Sequence, residues 1–81
     1  MSLDDLRAAL DAADDALLAA LARRAALVRE IWDFKATHGL PRLDPAREQA
    51  LKARLVARGV DLGLSADAVA EILERVVGKP L

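Results

Sequence analysis

The sequence predicts an all-helical fold of three helices per chain, one long and two shorter. Three observations point there. Of the 81 residues, 18 are alanine and 15 are leucine, while β-branched residues are few and gather towards the end, the composition of helices rather than of a sandwich or barrel. No glycine or proline occurs between Met1 and His38, so nothing in that stretch breaks a helix. Along it the apolar positions Leu6, Leu10, Ala13, Leu17, Leu21, Val28, Ile31 and Phe34 follow in steps of three and four with one wider gap, the period of a helix face.

The elements follow in order. The first helix runs from about residue 4 to 38, with Ser2 as N-cap and Asp4 and Asp5 in an acidic first turn. Gly39-Leu40-Pro41 ends it, since glycine suits the residue after a helix and proline cannot continue one. The second starts at Asp44-Pro45, a cap followed by proline in the first helical position. It carries Leu51, Leu55 and Leu62 and ends by Gly63, with Gly59 as a weak point. Ser65 caps a third helix bearing Val69, Ile72, Leu73, Val76 and Val77, which Gly78-Lys79-Pro80 stops. No repeat or linker divides residues 1–81, so a single domain is expected.

Composition narrows the function. Without cysteine there is no disulfide scaffold, thiolate metal site or cysteine nucleophile. A net charge of −1 from 12 basic and 13 acidic residues argues against a nucleic-acid partner. No apolar run is long enough for a membrane, and the acidic start does not resemble a signal peptide. A soluble cytoplasmic protein is expected.

The long helix carries a second expectation. It would span roughly 50 Å, against a diameter on the order of 30 Å for a compact chain of this size. Its apolar stripe therefore overhangs any core one chain can build. A second copy is the simplest cover, so an intertwined homodimer is expected.

Basic residues interrupt that stripe. Arg24 and Lys35 are eleven positions apart, so they differ by only about 20° around the axis and lie about 16 Å apart along it. Both share the face of Val28 and Ile31, where they either hold a small anion between them or extend their heads to solvent. Arg7 lies about 25 Å from Arg24, so one protomer does not bring both to the same small ligand; an antiparallel second protomer could, and taken alone Arg7 reads as an ordinary surface arginine. Asp44 is explained as an N-cap and Glu48 by the helix dipole. Arg47 opposes that dipole, which hints at a ligand. His38 reads as a helix-end residue, and Trp32 and Phe34 read as core or interface anchors rather than a stacking platform. Ser2, Thr37 and Ser65 are the only hydroxyl residues, and each has a capping or helix-end role, so no nucleophile constellation exists. An enzyme with this set would hold a small polyanion and act by electrostatics.

These residues bring a family into view. The stretch LDDLRAALDAADDALLAALARRAAL, Leu3 to Leu27, resembles the opening helix of the all-helical chorismate mutases. Residues 28 to 48, VREIWDFKATHGLPRLDPARE, continue the family's pattern without a gap. The third helix is similar only in hydrophobic pattern and length. The resemblance implies an intertwined homodimer with interface active sites, and conversion of chorismate to prephenate without cofactor or metal. It implies that Arg7 of the neighbouring protomer and Arg24 bind carboxylates, and that Lys35 binds a carboxylate and the ether oxygen. Asp44, Arg47 and Glu48 fall around the ring hydroxyl, and Lys35, Arg24 and Glu48 are the implied catalytic set. One departure stands out: the family's C-terminal serine position falls at about Pro80, and the following glutamine position is absent. Relatives with short C-termini are activated by the first enzyme of the shikimate pathway, so such a partner is among the expectations. Alternatives within the fold are a mutase for 4-amino-4-deoxychorismate, a lyase for isochorismate, or a regulatory module.

Overall fold

The computed structural model describes residues 1–81. It contains three helices and no strand: α1 (Leu3–Thr37), α2 (Pro45–Asp61) and α3 (Ala66–Val76). The limits follow from local chemistry. At the start of α1 the Ser2 hydroxyl accepts from the Asp5 N–H at 3.1 Å, and the Asp5 carboxylate accepts from the Ser2 N–H at 3.0 Å. Each side chain thus satisfies a donor the helix leaves unpaired. Hydrogen bonding from Ser2 to the carboxylate, from its backbone N–H foremost and then from its side chain, holds the Asp5 carboxyl below its ordinary value. At the other end Gly39 takes φ +65°, and the Leu40 N–H turns back to the Lys35 carbonyl at 2.8 Å. This is the closing motif that favours glycine. Helix α2 starts as the sequence suggests, with Pro45 in its first turn and Asp44 capping the Arg47 N–H. Ser65 caps α3 through the Ala68 N–H.

Two readings of α2 are corrected. Gly59 is no weak point: the helix runs through it to Asp61, and Gly59 is buried. A Cβ there would lie 2.6 Å from Cγ2 of Val69, so the missing side chain lets α2 and α3 approach closely. Leu62 is not on the packed face. It is the C-cap residue and 65% exposed, because the chain has already turned towards Gly63 at φ +91°.

The core is small and lies mainly between α2 and α3. Val69, Leu73 and Val77 are buried against Leu51, Leu55 and Val56, with Val76 also buried. Ile72, at 57% exposure, faces away from it. Helix α1 contributes one buried residue, Ala25. Its polar ties to the rest reach the end of α3 and the segment after it. Arg24 donates to the Val76 carbonyl at 2.9 Å, and Arg29 donates to the Pro80 and Leu81 carbonyls at 3.0 and 3.2 Å. Upstream, α1 projects free of the other helices: Leu6, Leu10 and Leu17 are 52%, 60% and 58% exposed. The molecule measures 55 × 23 × 15 Å with a radius of gyration of 16.0 Å, against about 12 Å for a compact chain of this length.

Gly59→Ala tests the close approach. Helix propensity alone favours alanine by up to about 1 kcal/mol, but overpacking against the stiff Val69 side chain costs about 1–3 kcal/mol. A net loss in denaturant-unfolding free energy is expected; a gain would refute the tight contact.

Candidate active site

Positions 24, 28, 31 and 35 lie on one face of a helix, and that face of α1 forms one wall of a cleft of about 310 Å³. Val28, Ile31 and Trp32 of α1 and Leu51 of α2 supply its apolar lining. Around them stand Arg24 and Lys35 of α1, Arg42 and Asp44 of the connecting loop, and Arg47 and Glu48 of α2. Gly78, just beyond α3, completes the rim. All three helices or their ends therefore contribute.

Each polar group is held differently. Arg24, partly buried, is anchored on the Val76 carbonyl. The Lys35 ammonium donates to the main-chain carbonyl of Arg42 at 3.0 Å. The Asp44 carboxylate accepts from the Arg47 N–H at 3.1 Å, so the cap that starts α2 also borders the cleft. Glu48 lies against Gly78, where a Cβ would fall 2.6 Å from the carboxylate oxygen Oε1. The Arg42 guanidinium is 4.1 Å from the centre of the Trp32 ring. None of the cleft's four cations is in an ion pair; the chain's two ion pairs are Arg7–Asp4 and Lys52–Glu74. Four cations against two carboxylates leave the cleft with two net positive charges.

Five of the six site residues expected from sequence thus converge: Arg24, Lys35, Asp44, Arg47 and Glu48. Arg7 does not join them. It is exposed near the start of α1, 4.0 Å from Asp4, and the straight helix holds it about 25 Å from Arg24. The Trp32 ring carries the Arg42 guanidinium on its face, because the turn after His38 brings the loop back over α1. Phe34 is 57% exposed and stacks on His38 with ring centres 3.9 Å apart. Sequence reasoning missed Arg42 and Gly78. The only signal for Arg42 was a second basic residue close to the Asp44 cap, and for Gly78 a glycine directly after the last apolar pair of α3.

Cations on an apolar floor, without a nucleophile constellation, are a setting suited to a small polyanion held by charge and shape. The chain belongs to the chorismate mutase type II family, which its residues 6–79 match. It is 37% identical over 75 residues to a T-protein of Enterobacter agglomerans, covering 93% of this chain and 20% of that protein. A T-protein of Haemophilus influenzae is 35% identical over 74 residues, with 91% and 20% covered. The 4-amino-4-deoxychorismate mutase of Streptomyces venezuelae is 33% identical over 75 residues, with 93% and 73% covered. The chain spans about one fifth of the length of the T-proteins it matches. No solved structure matches it.

Gly39 and Gly78 offer a controlled comparison, with φ of +65° and +71° but open space only at Gly39. Alanine at either costs about 1 kcal/mol for the left-handed backbone. Only Gly78→Ala also displaces the Glu48 carboxylate, so only that variant is expected to alter ligand affinity at the cleft, read by titration calorimetry. Equal affinities in the two variants would remove Gly78 from the site.

Proposed function

We propose that this chain, a single domain, is a chorismate mutase that converts chorismate to prephenate on the route to phenylalanine and tyrosine. The observation that carries this reading is the convergence of Arg24, Lys35 and Arg47 with Asp44 and Glu48 on one cleft of net positive charge. In the reaction the ether C–O bond of chorismate breaks and a C–C bond forms within the same molecule, so no atom is gained or lost. The substrate is a dianion with two carboxylates, which suits a cleft carrying two net positive charges.

The chemistry asks two things of the protein. Chorismate must be held in its compact conformer, with the reacting carbons close together. Arginine forks on the carboxylates, Arg24 from one protomer and Arg7 from a second, would impose that geometry and lower the entropic part of the barrier. Negative charge also builds on the ether oxygen as the C–O bond breaks first. Lys35 is suited to meet it, because its ammonium rests on a neutral carbonyl and no carboxylate must be displaced. A cation placed where charge develops stabilises the transition state more than the ground state. Asp44, Arg47 and Glu48 would surround the ring hydroxyl.

The second protomer is part of the proposal. The exposed leucines of α1 form an apolar face that a second copy running antiparallel would cover, bringing Arg7 to the opposite cleft. A partner enzyme of the shikimate pathway remains an additional expectation, to be tested by adding it to the assay. A second reading within the family is supported by the similarity to the Streptomyces venezuelae enzyme. Asp44 and Glu48 would accept from an amine as readily as from a hydroxyl, so the same cleft would take 4-amino-4-deoxychorismate.

The direct test is loss of chorismate ultraviolet absorbance on adding the purified protein, with 4-amino-4-deoxychorismate assayed in parallel. Turnover of chorismate is expected, and Lys35→Ala should lower kcat by about a hundredfold or more. Activity within a few-fold of the parent would refute the role of Lys35. Two inactive proteins, Arg7→Ala and Arg24→Ala, should regain activity when mixed, because a heterodimer holds one intact site. No recovery after confirmed subunit exchange would refute the shared site.

A further inference from the structure

Arg42 is neither an N-cap nor a helix residue, and its neighbours explain only part of its placement. Its guanidinium lies 4.1 Å from the centre of the Trp32 ring, borders the cleft and forms no ion pair with Asp44 or Glu48, the two carboxylates there. A planar guanidinium stacked on an aromatic face keeps its edge N–H donors available and loses little freedom when it binds. The Arg42 main chain is engaged as well, since its carbonyl accepts from the Lys35 ammonium. Residue 42 thus joins two cations on one loop. Counting Arg24, Lys35 and Arg47 against Asp44 and Glu48 leaves one net positive charge, and Arg42 brings it to two. Within one protomer, a dianion is neutralised only when Arg42 takes part.

From this geometry we infer that Arg42 is a further substrate-binding residue, gripping one carboxylate of the dianionic substrate from the loop while Trp32 holds its fork in place. The inference rests on the reading of the cleft as a dicarboxylate site. It differs from a purely structural loop staple in one respect: it requires the fork and its charge, not merely the stack.

The test uses the full chain and the variants Arg42→Gln and Arg42→Lys. Steady-state kinetics with chorismate would be paired with titration of prephenate, followed by the fluorescence of Trp32, the chain's single tryptophan. For Arg42→Gln, KM and the prephenate Kd are expected to rise about tenfold to a hundredfold, as for loss of a charge-assisted bidentate pair, with kcat changed less than about threefold. Arg42→Lys, which keeps the charge and the aromatic contact, is expected to fall between Arg42→Gln and the parent. It decides the matter alone if Arg42→Gln does not fold by circular dichroism. KM and Kd within about twofold of the parent in the folded variants would overturn the inference and leave the mutase reading intact. A fall in kcat at unchanged KM would also overturn it, assigning residue 42 only to the placement of Lys35. An unsubstituted protein that neither turns over chorismate nor binds prephenate would overturn both readings, and that outcome is recognised before any variant is made.

Discussion

A helix of 35 residues rises about 52 Å, and the remaining residues fold into two shorter helices that cannot match it. The architecture depends on this imbalance. Helices α2 and α3 find each other through Gly59 and Val69 and build what core there is. They meet only the C-terminal half of α1, where Ala25 is buried and Arg24 and Arg29 reach main-chain carbonyls. The cleft is the gap left where a straight rod meets a helical pair. Its floor is apolar because it belongs to the stripe of α1, and its rim is polar because loop and helix ends supply it. The free half of α1 retains the same stripe with nothing opposite it. In our reading it completes a site on another copy.

Electrostatics inside the cleft follow a consistent pattern. Arg24 and Lys35 donate to main-chain carbonyls, and Arg42 lies on an aromatic ring. The Asp44 carboxylate accepts from an N–H, and Glu48 lies beside Gly78 without an ion pair. A cation resting on a neutral group has a defined position but keeps its charge uncompensated. An incoming anion then replaces a weak neutral contact with a charge-assisted one, rather than breaking an ion pair. In our reading, Arg24, Lys35 and Arg42 are thus oriented without losing their pull on a dianion.

Much of this was legible in the sequence because it is local. The helix limits are written in Ser2, Asp44 and Ser65 and in the glycines that follow each helix. The shared face of Arg24 and Lys35 follows from a constant angle per residue, and the cleft bears it out. What escaped depends on contacts between elements. Gly59 looks unfavourable when only helix propensity is weighed, since its benefit lies in Val69 on another helix. The relation between Arg42 and Trp32, ten residues apart, is set by how the chain turns after His38. Gly78 gains its meaning from Glu48, thirty residues earlier. For Arg7 the helix geometry decides: no bend within a continuous α1 brings it to the cleft of its own chain.

Asp44 shows what such economy means for adaptation. Its carboxylate both begins α2 and borders the cleft, so in our reading one side chain would answer to folding and to ligand choice together. Replacing it to favour a differently substituted ring would also remove a helix cap, typically at about 1 kcal/mol. A substitution there keeps the start of α2 only if the new residue also caps, as Asn, Ser and Thr do. The range of chemistry open to that corner of the cleft is therefore narrowed by the physics of starting a helix.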